Sequence, residues 1–449
     1  YWMYASREKI YAVSGATGAI VHTNLTRLSA GVDLDYTAGQ NTWTSTVIGG
    51  IPVLNPGNEV DPPQCWDLNL SNRVTALSNW PANTFCKSMR AFRNQLVALN
   101  VTEGGVNYPY MVWWSNLADP GSVPSSWVYD DPAYDGGRFD LSEGYDAIVD
   151  GLQLRDSLMI YKASSIYRLD YVGGAFINQS TKVLGTSGAM NRNCIVELDG
   201  QHLVLTNQDV IMHDGQSARS VLDKKSRRDL FASIDTAAMG QAFVAKNPFW
   251  NEVWICYPSP GATSCDQALV YNYVEGTVGY RDLPNLNHAN FGQVETGASQ
   301  PWGADSSSWA SDSTIWNVPE YTPDAARVLT ASADRKLFLM DSSTTFDGVI
   351  PTTSLERRGL QFGDIMRRTM IRSIIPHIKG TVGETVNVEI GGADDPYSDP
   401  TYQAPVPYTI GTTLRVDTLV DARFPAIRFS NGTADEWRLD AMEVDYEKG

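Results

Sequence analysis

A short unit recurs along the chain, in which a polar turn leads into an apolar strand. The first apolar residues of its copies, taken as anchors, are Ile10, Ile51, Leu96, Leu158, Leu203, Val253 and Leu337. Their successive spacings are 41, 45, 62, 45, 50 and 84 residues, and most lie near the ~40–50 residues of a four-stranded propeller blade. One small sheet cannot bury both of its faces, whereas sheets stacked around an axis cover one another. The pattern therefore predicts an all-β fold that begins with a β-propeller of six or seven blades; an irregular all-β protein is the alternative.

The two wide spacings predict loop insertions in the propeller, near residues 113–140 and 285–323, where Pro, Gly, Ser and Asn are frequent. Helix is scarce, and apolar residues at helical spacing favour one only at about 217–239. From about residue 345 the chain changes to alternating strands separated by turn signals such as Asn431-Gly432. We therefore predict two domains, a propeller over 1–344 and a C-terminal β-sandwich or platform-like domain over 345–449.

Composition limits the partners that this fold can serve. The 449 residues include 37 Gly, 23 Pro, 13 Trp and 21 Tyr, which suits many short strands, and the formal net charge is −17. A chain that grips nucleic acid should be basic, so tight DNA or RNA binding is disfavoured. The five cysteines are scattered without a CxxC pair, which favours free thiols and assembly in a reducing cytosol. No apolar run approaches the ~18 residues of a membrane span. Because the first residue is Tyr1 rather than Met, we expect an upstream segment.

No residue pattern in the sequence predicts catalysis. The five histidines form no HExxH or HxH motif, and no GxSxG or phosphate-binding glycine motif occurs. Aspartates cluster at 130–140 and 394–399 beside Pro and Gly, where solvated loop acids are the simpler interpretation than a hydrolase dyad or a calcium site. We therefore predict no catalytic, metal-binding or cofactor-binding residues, and no cofactor.

Two basic clusters stand out in this acidic chain, and both are candidates for contacts with another subunit or a partner protein. The stronger cluster opens the C-terminal domain and consists of Arg357, Arg358, Arg367, Arg368 and Arg372. The weaker cluster lies on the predicted helix and consists of Lys224, Lys225, Arg227 and Arg228. Solvated surface charge is the alternative for both.

Several segments resemble the tail nozzle proteins (also called tail tubular or packaged-DNA stabilisation proteins) of short-tailed bacteriophages, and the resemblance extends over most of the chain. The segments that carry it are NTW at 41–43, IGGIPVLN at 48–55, DPPQCW at 61–66, YMVWWS at 110–115, PSSW at 124–127, SLERR at 354–358 and GD at 363–364.

The resemblance implies a structural virion protein of the phage tail, without enzymatic activity. It implies a homohexameric ring of propeller subunits that extends the DNA ejection channel, is assembled in the host cytoplasm and helps to retain the packaged genome. The implied partners are the tail adaptor or head-to-tail connector, tail fibres or tailspikes, and double-stranded DNA in passage. Long nozzle-tip insertions are either absent or confined to the two wide spacings, which departs from the family pattern and leaves the gating loops unassigned.

Two other functions remain open on the sequence alone. A carbohydrate-binding or tailspike-like protein would use exposed Trp and Tyr side chains to retain glycans. A propeller hydrolase would use a carboxylate pair across the central channel.

Overall fold

The computed structural model describes residues 1–14, 20–39, 41–174, 176–294, 326–362, 367–395, 398–431 and 435–448. The chain divides into two compact units, Tyr1–Met340 and Asp341–Gly449, close to the boundary predicted at 344/345. Among the described residues, no helix is long and apolar enough to cross a bilayer.

The first unit consists almost entirely of short antiparallel strands. Its strands are β1 (Trp2–Ala5), β2 (Ile10–Ser14), β3 (Val21–Asn24), β4 (Leu28–Ser29), β5 (Val32–Asp33), β6 (Thr44–Ile48), β7 (Ile51–Asn55), β8 (Gln64–Cys65), β9 (Thr75–Ala76), β10 (Thr84–Phe92), β11 (Gln95–Glu103), β12 (Val106–Trp114), β13 (Gly137–Asp140), β14 (Ile148–Leu154), β15 (Ser157–Lys162), β16 (Ile166–Tyr171), β17 (Asn178–Leu184), β18 (Ile195–Leu198), β19 (Gln201–Leu205), β20 (Val210–His213), β21 (Ala218–Ser220), β22 (Phe243–Asn247), β23 (Glu252–Tyr257), β24 (Cys265–Asn272), β25 (Val278–Gln293), β26 (Ala326–Ser332) and β27 (Leu337–Leu339). Helix α1 (Lys224–Ser233) and a 3-10 turn at Met239–Gln241 complete the unit.

These strands form consecutive sheets in which each strand pairs with the next along the chain. Blade 1 is β1–β3, blade 2 is β6–β9, blade 3 is β10–β13, blade 4 is β14–β17 and blade 5 is β18–β21. Strand β25 is shared, because its first part pairs with β24 and its second part pairs with β26. It therefore closes blade 6 (β22–β25) and opens blade 7 (β25–β27).

The first strands of successive blades lie side by side, as expected around an axis. Contacts join β6 to β10, β10 to β14, β14 to β18, β18 to β22 and β22 to β25. The indole Nε1 of Trp2 in β1 donates to the carbonyl oxygen of Gln293 at the end of β25, at 2.9 Å, and so links the first blade to the last. The prediction of a propeller with six or seven blades is confirmed: the described residues form seven.

The sequence repeat marks one structural position, the second strand of each blade. The first six anchors, from Ile10 to Val253, lie on β2, β7, β11, β15, β19 and β23. The polar residues before these anchors form the tight turn that leads out of the first strand. Arg93 and Arg155 adopt positive φ angles of 52° and 53° there, and in blade 2 the turn is Gly49-Gly50, also at positive φ. The last anchor, Leu337, lies on β27, which is the third strand of its blade.

The chain between β12 and β13 is a loop, as predicted near 113–140, whereas the loop predicted near 285–323 and the predicted helix need correction. Between β12 and β13 the chain has no strand, but it carries Trp127, only 3% exposed, into the core between blades 2 and 3. The predicted loop at 285–323 is wrong over 285–293, which is strand β25; positions 295–323 lie outside the described residues. The helix predicted at about 217–239 covers only Lys224–Ser233, because 218–220 pair as β21.

The second unit is a sandwich of two antiparallel sheets, as predicted. Its strands are β28 (Thr353–Arg357), β29 (Thr369–Gly380), β30 (Thr385–Ala393), β31 (Thr401–Tyr402), β32 (Val406–Thr409), β33 (Val416–Ala422), β34 (Phe424–Asn431) and β35 (Trp437–Lys448). One sheet has the order β28-β34-β30-β31, with β32 beside β30, and the other has the order β33-β29-β35. Alternate side chains of both sheets, among them Ile371, Ile374, Val388 and Phe429, form the shared core.

Candidate functional site

A charged network joins the first strands of neighbouring blades, which face the propeller axis. Asp150 on β14 is only 1% exposed, and Arg90 on β10 binds both of its oxygens, with Nε at 2.9 Å and Nη2 at 2.6 Å. The hydroxyl of Ser88 and the backbone N–H of Asn193 also donate to this carboxylate, at 2.5 and 3.1 Å. Burial opposes ionisation, but the Arg90 charge and these hydrogen bonds outweigh it and hold the pKa of Asp150 below its ordinary value. Asp150 is therefore a structural anion that joins blades 3, 4 and 5.

A second arginine ties blade 5 to blades 2 and 3. Arg192 precedes β18, and its Nη1 donates to the carbonyl oxygens of Thr42 at 3.1 Å, Gly57 at 3.4 Å and Lys87 at 2.8 Å. Burial lowers the pKa of Arg192, and the nearby Asp150 charge opposes that shift. These polar groups are used to hold the blades together. The hydrolase alternative required an available carboxylate pair across this axis, and Asp150 is not available for that role because its oxygens are already bound.

A buried hydrogen-bonded chain joins blades 4 and 5. The Tyr161 hydroxyl lies 2.6 Å from Nδ1 of His202 and 2.7 Å from Nε2 of His213. His202 Nε2 lies 3.0 Å from the carbonyl oxygen of Gln153, which can only accept, so Nε2 carries the hydrogen and Nδ1 accepts from Tyr161. His213 Nε2 then donates to the Tyr161 oxygen, and its Nδ1 accepts from the Gly215 N–H at 3.2 Å. Both ring nitrogens of His202 and both of His213 therefore have a hydrogen-bond partner.

Burial determines whether Tyr161, His202 and His213 are charged. Desolvation lowers the pKa of His202 to about 3 and that of His213 to about 4, and it raises the pKa of Tyr161. All three groups are therefore neutral at physiological pH. The sequence showed isolated histidines and predicted hydrogen-bonded strand residues; it did not show that two of them meet. Among the described residues, no group of three or more His, Cys, Asp or Glu side chains is placed to hold a metal ion.

The structure brings acids to three of the five C-terminal arginines. Arg358 binds Glu356 and Asp399, each with a nitrogen–oxygen distance of 2.7 Å. Arg368 binds Asp394 at 2.7 Å and Asp421 at 2.9 Å.

Of the remaining three arginines, one is paired with an acid and two are not. Arg372 pairs with Glu447 on the neighbouring strand β35. Arg357 and Arg367 are exposed, and neither makes an ion pair with any residue that the structure describes. Three of the five arginines predicted as candidates for subunit or partner contacts are therefore paired within their own chain.

The weaker basic cluster lies on helix α1, where Asp223 caps the first turn by accepting from the Ser226 N–H at 3.0 Å. Arg227 pairs with Asp209 at 3.1 Å, whereas Lys224 and Lys225 are exposed. Arg228 is also exposed and lies 3.8 Å from its neighbour Asp229.

The β33-β29-β35 sheet of the second unit carries a feature that the sequence reading missed. We define the outer sheet face as the exposed side chains of these three strands. Ile375 on β29 and Leu419 on β33 belong to it and are 37% and 64% exposed. Charged pairs surround them, including His377 with Glu443 at 3.0 Å. The alternation of β29 could have revealed this face, because Ile375 breaks the polar pattern of its exposed positions.

Comparison with known proteins yields likeness in structure only. No family model matches the chain, and no curated protein matches it. Among solved structures, an apocarotenoid oxygenase of Synechocystis aligns with a TM-score of 0.37 at 10% identity, covering 74% of this chain and 81% of that one. An exo-beta-1,3-galactanase of Phanerochaete chrysosporium aligns with a TM-score of 0.28 at 11% identity, covering 97% and 100%. A protein described as a glycoside hydrolase aligns with a TM-score of 0.27 at 10% identity, covering 91% and 98%.

Proposed function

We propose that the chain is a structural protein of a bacteriophage tail, without catalytic turnover, whose copies form a ring around the DNA ejection channel. The observation that carries the proposal is the outer sheet face. Ile375 on the middle strand β29 and Leu419 on the edge strand β33 are exposed there, among charged side chains of the same strands. Exposed apolar side chains among charged ones are typical of a protein–protein interface. The resemblance to tail nozzle proteins supplies the identity of the assembly, a hexamer that contacts the tail adaptor and the tail fibres or tailspikes.

The network between the blades bears on the route of the DNA. Because Arg90, Asp150 and Arg192 tie neighbouring blades of one copy together, we place the proposed channel between several copies rather than within the blades of one. A net charge of −17 per copy suits the wall of such a channel, since negative walls repel phosphate and do not hold the passing duplex.

The ring can be tested by native mass spectrometry and negative-stain imaging of the purified chain. We expect Ile375→Glu and Leu419→Glu to abolish the ring, because each replaces an exposed apolar side chain of the proposed contact with a charge. Val172→Glu is the matched control, since Val172 is a 52% exposed apolar residue of blade 4 and does not belong to this face. Circular dichroism should show that all three variants fold. A chain that stays monomeric beside its tail partners would overturn the proposal, whereas a ring that tolerates both substitutions would remove only the assigned face.

A second candidate function, carbohydrate binding, is favoured by an aromatic pair at the turn between β22 and β23. Phe249 and Trp250 are 42% and 54% exposed, and their ring centroids lie 4.9 Å apart. Exposed aromatic rings offer an apolar surface for stacking. Two of the named structural neighbours are sugar-cleaving enzymes, which is closer to this function than to the first, but at those TM-scores the likeness decides neither.

Retention on a glycan array tests the second function. We expect Trp250→Ala to lose retention if this pair binds sugar, and Tyr145→Ala to keep it, because Tyr145 is fully exposed elsewhere on the unit. Retention that is unchanged in Trp250→Ala, or absent from the wild type, would exclude the aromatic pair as a sugar site.

A further inference from the structure

A cavity in the first two blades of the propeller has the size of a small-molecule site. It has a volume of about 490 Å³, and residues of the loop after β12 also reach it. Ligand pockets in proteins are commonly ~300–1,000 Å³. Its walls include Arg27, Arg73, Cys65, Leu28, Ile51 and Val123.

Arg27 has an unmet need for an acceptor. Its guanidinium makes no ion pair with any residue in the described part of the chain. Its Nε also lacks a hydrogen-bond partner but is closed to solvent, so a molecule in the cavity would meet the terminal nitrogens Nη1 and Nη2. Arg73 in the same wall differs, because it donates to the carbonyl oxygen of Asn24 at 2.6 Å and lies 3.4 Å from Asp33.

The acid in the cavity wall does not serve Arg27. Asp67 accepts hydrogen bonds from the side chain of Asn72 at 2.5 Å and from the backbone N–H of Asn69 at 3.1 Å. These bonds, with that from Asn72 the largest cause, lower the pKa of Asp67 and keep it ionised. Arg27 therefore remains the one cation in the wall without a counter-charge among the described residues, since Arg73 has Asp33.

The rest of the wall defines the body of the missing partner. Leu28, 48% exposed, faces the cavity together with Ile51 and Val123, so the wall offers apolar contact beside a single free guanidinium. Guanidinium pairs best with a planar oxyanion such as a carboxylate. We propose that this cavity binds a small organic carboxylate, with its carboxylate on Arg27 and its apolar body against Leu28 and Val123.

Cys65 provides a direct reporter of occupancy. It lines the cavity and is partly exposed, whereas the other four cysteines are at most 2% exposed. A thiol reagent should therefore modify Cys65 first, and a molecule in the cavity should slow that reaction. This readout needs neither an oligomer nor DNA, so its result is independent of the proposed ring.

The experiment measures the rate of Cys65 modification with three probes: benzoate, its neutral isostere benzamide, and glucuronate as a polar carboxylate. We expect benzoate to slow the reaction several-fold with a millimolar dissociation constant and benzamide to have little effect. Arg27→Gln should abolish the protection by benzoate, and Arg27→Lys should restore part of it. Arg93→Gln is the matched control and should keep full protection, because Arg93 lies over the ring of Tyr171, outside the cavity.

Equal protection by benzamide, protection that survives in Arg27→Gln, or no protection by any probe would overturn the assignment. Protection by glucuronate but not by benzoate would show that the cavity does not select an apolar body, and would overturn that part of the assignment. Thermal unfolding of each variant shows whether the fold is kept, and the rate without probe shows whether Cys65 is as accessible as in the wild type.

Discussion

The buried chain of Tyr161, His202 and His213 should make the propeller sensitive to mild acid. The native pKa values of the two histidines are about 3 and about 4, far below the ~6.5 of an unfolded histidine. Because the native pKa values are depressed, stability is highest above the unfolded pKa and is lost as the pH falls from there toward the native values. In this range His202 and His213 bind protons in the unfolded chain but not in the folded chain.

The size of the effect follows from proton linkage. Between about pH 7.5 and about pH 5.5, each buried histidine costs about 1.3 kcal/mol of unfolding free energy, so the pair costs about 2.6 kcal/mol. Comparison with a variant that lacks only these two histidines isolates their contribution, since the carboxylates are common to both proteins. At about pH 5.5, unfolding should draw about 1.8 protons from solution through this pair alone.

Proton uptake on unfolding tests this directly and does not require reversible unfolding. The protein is unfolded by denaturant in weakly buffered solution at about pH 5.5, and the uptake is read from an indicator dye. His202→Asn with His213→Gln keeps an acceptor and a donor near Tyr161 but removes both titrations, so its uptake should be lower by about 1.8 protons. A difference of less than about half a proton between wild type and double variant would refute the reasoning.

Three further predictions concern stability and are measured by denaturant or thermal unfolding. Asp150→Asn removes the bidentate partner of Arg90 and should lower the free energy of unfolding by about 3–5 kcal/mol. Asp170→Asn, in the partly exposed pair with Arg168, should lower it by less than about 1 kcal/mol. Equal losses would contradict the structural role of Asp150. Gly57→Ala should destabilise the protein far more than Gly104→Ala. Both glycines have positive φ, but only at Gly57 would the added carbon collide with Arg192 and with the Thr42 carbonyl oxygen. Comparable losses of stability would show that Arg192 and Thr42 can move to accommodate the added carbon. Lys162→Met should cost about 2–4 kcal/mol, because it strips the carbonyl oxygens of Leu141 and Glu143 of a fully buried donor; a neutral outcome would mean that water replaces the ammonium.

The propeller could be predicted from the sequence because its signal is local. Each blade places a tight turn and an apolar second strand within a few residues, as at Arg93 to Leu96, so the spacing of anchors reads out the blades directly. Blade 7 escaped the pattern because its first strand is the continuation of β25, with no turn between the two blades. The anchor at Leu337 consequently fell on a third strand.

The axial network could not be predicted, because its members are brought together only by closure of the ring. Arg90 is 60 residues from Asp150 and 103 from Asn193 along the chain. None of the three stands in a recognisable motif, and each is common at a strand end. The same holds for His202 and Tyr161, which are 41 residues apart and lie on different blades.

The C-terminal arginines show how pairing across strands changes the meaning of a charge cluster. In sequence, Arg368 and Arg372 look like cations that await an acidic neighbour, but antiparallel pairing of β29 with β33 and β35 places Asp421 and Glu447 beside them. Charges already neutralised within a subunit contribute less to attraction between subunits, and exposed pairs contribute little to stability. The exposed apolar side chains of this sheet, Ile375 and Leu419, remain available for association. The interface proposed for the ring therefore depends on these apolar side chains, and the paired arginines would set its register rather than its strength.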